Sequence, residues 1–261
     1  MARIFITGSA DGLGNLAAKA LVNLGHHVVL HARNKERAKH ALEKLPGAED
    51  VLIADLSSVE ETKGLASKAN ALGTFDAVIQ NAGVYRVARN TVTSDGLPEL
   101  FAVNSLAPYI LTSLMQKPKR LIYLSSGMHL HGDPNADIPP IPTYDRNIRV
   151  SYSDTKLHDV ILCMAAASKW TDVYANAVDP GWVPTRMGGA GAPDNLEDGF
   201  QTQVWLAVSN DAEAKVNGQY FHHKRQARYL PAAKDPAVQE KFLALCEQIT
   251  GVRFDDARRN D

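Results

Sequence analysis

The chain predicts an α/β fold in which a doubly wound, seven-stranded parallel sheet is flanked by helices on both faces. Three observations carry that expectation. Short apolar runs alternate with helical patterns almost from end to end. Most of those runs are apolar at every position, as strands covered on both faces are. The first run, Ile4–Phe5–Ile6, passes through a turn of small residues into an alanine- and leucine-rich stretch, with glycines at Gly8, Gly12 and Gly14.

The elements follow in order. IFIT at 4–7 is the first strand, and the leucine–alanine pattern at 13–24 is its helix. VVLH at 28–31 is the second strand, followed by a charged helix at 35–45. VLIA at 51–54 precedes a helix at 59–72, and AVIQ at 77–80 precedes a helical stretch around 97–115. LIYL at 121–124 opens on an irregular stretch at 129–149 with four prolines, Pro134, Pro139, Pro140 and Pro142. A helix is expected at 151–170, a strand at 174–178, a loop with four glycines at 180–195 and a helix at 196–208. A last strand at 219–221 and a helix at 236–249, opened by Pro236, complete the pattern. No linker divides the chain, so residues 1–261 are expected to form one domain.

Bulk properties narrow the class. A net charge of -1 gives no electrostatic reason to expect nucleic acid or an anionic membrane as partner. Cys163 and Cys246 sit in separate helical patterns, which points to reduced thiols. No apolar run approaches the ~20 residues that span a bilayer. With the first strand beginning beside Met1, no room is left for a signal peptide, and a cytoplasmic location is expected.

The chemistry is expected at the carboxyl ends of the strands. A strand, a glycine turn and a helix N-terminus in succession offer a pyrophosphate unpaired N–H groups and the positive end of a dipole. At the end of the second strand, where an acidic residue would bond a ribose 2′-hydroxyl, stand Ala32 and Arg33. A guanidinium with no nearby carboxylate suits a 2′-phosphate, so NADP(H) is expected in preference to NAD(H). Asp55 and Leu56 follow the third strand, and Asn81, Ala82 and Gly83 end the fourth. Ser125 and Ser126 end the fifth. Tyr152 and Lys156, four apart on a helix, share one face. A phenol with a pKa near 10 needs ~4 kcal/mol of phenolate stabilisation to act at neutral pH, which an adjacent ammonium can supply in part. Tyr220 and Lys224 repeat the spacing on the last strand and its exit, where they read as core and surface charge.

These motifs in this order resemble the short-chain dehydrogenase/reductase family: TGSADGLG, ADL, NAG, FAVNSL, YLSS, YSDTK and DPGWVPT. The resemblance covers nearly the whole chain. TSDGLPELFAVNSLAPYILT, SSGMH and the 26 positions from Ser126 to Tyr152 are similar to the retinol-dehydrogenase-like and WW-domain oxidoreductase-like branch. It implies a Rossmann-type fold and an oxidoreductase moving hydride between NADP(H) and a carbonyl or alcohol carbon, with ketone or aldehyde reduction favoured. It implies Tyr152 as general acid/base, Lys156 on the nicotinamide ribose, Ser126 orienting the carbonyl and Asn104 holding a relay water. Gly8, Ser9, Gly12, Leu13 and Gly14 would face the pyrophosphate, and Arg33 the 2′-phosphate. Asp55 and Leu56 would face the adenine, and Asn81, with Ala82 and Gly83, the adjoining ribose. Pro180, Val183 and Thr185 would close over the carboxamide.

The resemblance also implies a homo-oligomer, formed through the helix at 151–170. Asp11 stands where some NADP-dependent members carry a basic residue, so the cofactor preference rests on Arg33. Trp182, Met187, Ile138 and Ile141, in the two long loops, suggest an apolar substrate. His129 and His131, with His222 and His223, lack the convergent third and fourth ligands of a zinc site, and no metal is expected. His129 remains within reach of a substrate. The alternative is a non-catalytic NADP(H)-binding sensor, which would be expected to have lost Tyr152, Lys156 or both.

Overall fold

A computed structural model describes residues 1–85, 87, 91–135 and 150–254. Pro139, Pro140, Pro142, Ile138 and Ile141 lie outside the described residues. The sheet runs β3-β2-β1-β4-β5-β6-β7-β8. Its strands are β1 (Arg3–Ile6), β2 (His27–Ala32), β3 (Asp50–Ile53), β4 (Ala77–Gln80), β5 (Arg120–Leu124), β6 (Tyr174–Asp179), β7 (Gln219–His222) and β8 (Arg225–Gln226). The first seven are parallel. The order reverses between β1 and β4, and a crevice opens at such a switch point.

The expected sheet of seven parallel strands is extended by one antiparallel strand. β8 pairs with β7 through Phe221–Gln226 and His222–Arg225. The two residues between them, His223 and Lys224, take φ of 47° and 62°. A type I′ two-residue hairpin turn needs positive φ at both centres, which Asn-Gly satisfies cheaply and His-Lys does not. The polar run HHKRQ carries no strand alternation, so this pairing was hidden in the sequence.

The helices are α1 (Gly12–Asn23), α2 (Lys35–Lys44), α3 (Val59–Ala71), α4 (Glu99–Phe101), α5 (Ala107–Leu114), α6 (Tyr152–Lys169), α7 (Asp198–Val208) and α8 (Pro236–Thr250). α4 and α5 are joined by a π-helical turn at Ala102–Leu106. Alternation along the strands divides the core. Ile4, Ile6, Val28 and Leu30 pack with Ala17, Ala18 and Leu21 of α1 and Leu206 of α7. Phe5, Val29, Val78 and Tyr123 face the other way, onto Leu65 of α3 and the α5, α6 and α8 layer.

α6 is buried continuously from Ser153 to Ala166. Its outer side is covered by α8: Phe242 stacks on His158 with ring centroids 4.7 Å apart, and Leu243 and Cys246 join the same core. The helix expected to present a homo-oligomer surface is therefore covered within the chain itself. The described residues contain no helix long and apolar enough to cross a membrane.

Candidate active site

The glycine turn after β1 is held from three sides. Gly8 has φ +63°, and a Cβ there would meet Ala82 Cα at 2.8 Å. A side chain at Gly14 would collide with Asn81 Nδ2 and the Gly8 carbonyl. These two positions need glycine because the loop, α1 and the end of β4 are in backbone contact. Asn81 spends its amide on that junction, donating to the carbonyls of Thr7 (2.8 Å) and Gly8 (3.2 Å). Ser9 is buried, donating to Ile6 O and accepting from His31 N, both at 2.9 Å.

A cleft of about 610 Å³ runs from this turn along the strand ends, within the range of small-ligand sites. It is lined at one end by Gly8, Gly12, Leu13, Arg33, Asp55 and Leu56, and at the other by Tyr152, Lys156, Pro180 and Thr185, with Asn81, Ala82 and Gly83 between. Ser9, Gly14, Val183, Asn104 and Ser126 are not part of this lining, whereas Ser125 is. Val183 is buried against Gly199 of α7.

Arg33 does not stand clear of carboxylates. Its Nε donates to Asp55 Oδ2 at 2.9 Å, and Asp55 also accepts from Ser57 N and Oγ at 3.0 and 2.7 Å. Burial works against the Asp55 carboxylate, but the bonds from Ser57 and Arg33 outweigh it and hold its pKa below the ordinary range. The strand ends bring together two residues 22 apart in sequence, a contact invisible in the linear pattern.

At the other end, Ser151 N-caps α6 in a capping box with Asp154, with bonds of 3.1 and 2.7 Å. This fixes the first turn, where Tyr152 stands edge-on to Tyr85, centroids 4.6 Å apart. Lys156 Nζ lies 5.6 Å from the centre of the Tyr152 ring. It is buried and donates to Leu124 O and Asp159 Oδ2, each at 2.8 Å. Burial pushes the Tyr152 phenol up. Lys156 opposes that, while Asp159, Tyr85 and Asp179 add to it, and the net direction is upward.

The two serines separate clearly. Ser125 is buried and its Oγ donates to Lys156 O at 2.7 Å, tying β5 to α6. Ser126 is half-buried and accepts from Met128 N at 3.2 Å, capping the short 3-10 turn Gly127–His131. Asn104 lies in the π-helical turn, with its carboxamide bonded to Val84 N (2.8 Å), Val84 O (2.9 Å) and Thr155 Oγ1 (3.0 Å). Pro108, four residues on, has no N–H, so the Asn104 carbonyl lacks its ordinary helical donor.

His129, expected within reach of a substrate, is buried behind the site. Its Nδ1 bonds Ser126 O at 2.7 Å and its Nε2 accepts from Leu230 N at 3.3 Å. Met187 lines the cleft, and Trp182 is exposed beside it, Nε1 donating to Gly188 O at 2.9 Å. Tyr220 is buried and Lys224 exposed, as expected of core and surface charge. Sequence reasoning missed His31, Tyr85, Glu99 and Arg186, which also line the cleft, and Asp159 beneath it. His31 accepts from Gly8 N at 2.9 Å, bracing the glycine turn from β2. Only its place two residues before Arg33 could have marked it.

The chain is similar to known proteins over nearly its whole length. The family model described as short chain dehydrogenase matches residues 2–125. An uncharacterized oxidoreductase of Emericella nidulans is 45% identical over 259 residues, covering 97% of this chain and 98% of that protein. Retinol dehydrogenase 14 of Mus musculus is 28% identical over 290 residues, covering 95% and 86%. An uncharacterized protein from Mycobacterium paratuberculosis, solved by crystallography, superposes with a TM-score of 0.80 at 23% identity, covering 98% of this chain and 95% of that one. The RhlG/NADP active-site complex of Pseudomonas aeruginosa gives 0.65 at 20% identity, covering 84% and 93%. The chain belongs to the short-chain dehydrogenase family and is an oxidoreductase.

Proposed function

We propose that this member of the short-chain dehydrogenase family is an NADP(H)-dependent carbonyl reductase acting on an apolar ketone or aldehyde, with Tyr152 delivering the proton. The observation that carries the proposal is the Tyr152–Lys156 pair at one end of a cleft whose other end is the glycine turn and Arg33. The residues present fit a dinucleotide phosphate. Gly12, φ +57°, has open space where a side chain would stand, and Arg33, Arg37 and Arg186 bring guanidinium donors to the wall.

The bond to Asp55 uses Arg33 Nε, which leaves the two Nη groups to face a 2′-phosphate. The cofactor, when bound, supplies the hydride. The chain's own residues orient the substrate, exclude water and move the proton. Lys156 has one N–H beyond those given to Leu124 and Asp159, and a ribose hydroxyl is its natural acceptor. With Ser125 committed to the Lys156 carbonyl, the Ser126 hydroxyl is the one we assign to the substrate oxygen. The relay water is assigned to the Asn104 main-chain carbonyl, since its carboxamide is taken up by Val84 and Thr155. Met187 and Tyr85 at the cleft wall, with Trp182 beside it, favour an apolar substrate.

The test is loss of reduced-nicotinamide absorbance over a panel of ketones and aldehydes, with NADPH and NADH in parallel. Turnover with NADPH is expected, and Tyr152→Phe is expected to reduce it by about 100-fold or more while leaving NADPH affinity intact. NADPH binding without turnover on any carbonyl would put the sensor alternative in its place.

A further inference from the structure

Asp159 has no part in the mechanism above, yet it is the carboxylate nearest the proposed proton donor's partner. It lies one helical turn beyond Lys156 on the same face of α6, with its carboxylate 2.8 Å from Nζ. Their side chains are 4% and 5% exposed, so water does little to screen the pair.

The titratable groups around it come from every layer. Tyr152 and Cys163 share its helix. Tyr123 of β5 and Tyr220 of β7 feel its charge. Tyr85 stands edge-on to Tyr152, His129 lies against the Tyr220 ring, and Asp179 at the end of β6 adds to the upward push on Tyr152. Burial pulls the Lys156 ammonium down, but Asp159 and Tyr152 outweigh it, and its pKa stays above the ordinary lysine value. Burial pushes the Asp159 carboxyl up against the pull of Lys156, and the 2.8 Å approach of Oδ2 to Nζ is that of an ion pair.

An ammonium paired at 2.8 Å presents a dipole, not a full charge, to a ring 5.6 Å away. We propose that Asp159 is a positioning residue that holds Lys156 in a buried ion pair and damps its pull on Tyr152, biasing the site toward giving a proton to a carbonyl oxygen. The inference rests on the assignment of Tyr152 as proton donor. It adds a direction to that reading: the site is set for reduction, and the carboxylate that sets it touches neither substrate nor cofactor.

The experiment is a tyrosinate difference-absorbance titration, with and without saturating NADP+, on the full chain and on Asp159→Asn. The same curve from Tyr152→Phe in each background is subtracted, so that only Tyr152 is read. Asparagine keeps the shape and an acceptor for Lys156 while removing the charge. Asp159→Ser is the second neutral variant should that one fail to fold. Removing the carboxylate is expected to move the Tyr152 transition down by about 1 pH unit.

An unchanged transition, or no transition in either protein, would overturn the proposal. So would an upward move, which would mean that Asp159 serves to keep Lys156 charged. Because the readout needs no substrate, a protein that turns over no carbonyl can still pass or fail it.

Discussion

Arg33 and Asp55 are joined across the ends of β2 and β3 by a 2.9 Å bond from Nε to Oδ2. The guanidinium is 61% exposed, so the pair adds little to stability and acts chiefly by aiming the group. A charge-assisted bond to a phosphate contributes ~1.5–3 kcal/mol. Arg33→Ala is therefore expected to weaken NADPH binding by roughly 10- to 100-fold. NADH, which lacks the 2′-phosphate, should lose no more than about threefold. Fluorescence titration with both nucleotides measures the ratio, and an equal loss for both would remove Arg33 as the source of selectivity.

The glycine turn gives a contrast within one loop. A methyl group at Gly14 meets Asn81 and the Gly8 main chain, whereas one at Gly12 enters open space and carries only the strain of φ +57°. Overpacking a rigid junction costs ~1–3 kcal/mol, and alanine in the left-handed region ~1 kcal/mol. Gly14→Ala should lower the thermal midpoint more than Gly12→Ala, with loss of nucleotide affinity following the displaced turn. Calorimetry of the two variants orders them directly.

Much of the framework was legible because it depends on local periodicity. AVIQ at 77–80 is β4 as expected, and the predicted helix at 59–72 differs from α3 by one residue. Motif residues such as Tyr152 and Lys156 could be paired because helical spacing places them on one face. What could not be read depends on contacts distant in sequence. Nothing in the linear order joins Arg33 to Asp55, turns His129 inward onto Ser126 and Leu230, or lays Phe242 on His158. Asp159 was overlooked because LHDVILC looks like an ordinary amphipathic helix. Its meaning depends on burial from both sides. The π-helical turn was half visible, since Pro108 removes a helical donor, but its consequence for Asn104 needed the backbone.

Two buried histidines set the acid limit of the fold. His31 and His158 are both lowered to about 4, chiefly by burial. A group with a depressed folded pKa binds protons more readily when unfolded. The stability it supports is full above about 6.5 and is lost as pH falls toward 4. Each is worth ~2–3 kcal/mol by pH 4.5. Asp159, raised to about 6, works the opposite way and gains stability as pH falls through that value. Two histidines against one carboxyl leave a net loss. Urea unfolding at pH 7.5 and 4.5 should show a fall of a few kcal/mol, and His31→Gln, which cannot titrate, should fall less steeply. A flat profile would contradict the burial of both imidazoles.

The covering of α6 by α8 changes what assembly to expect. A subunit docking on α6 would have to displace Phe242, Leu243 and Cys246, which are buried in the core on that side. Phe242 closes the stack over His158, so Phe242→Ala should leave a cavity and cost ~3–5 kcal/mol, measured by denaturant unfolding. Sedimentation is expected to show no association through this face in the intact chain. In a cross-linking experiment on a cysteine-substituted surface, any dimer should map away from α6 and α8. Cross-links between α6 residues of two chains would show that α8 lifts off in solution and would return the helix to the intersubunit role first expected of it.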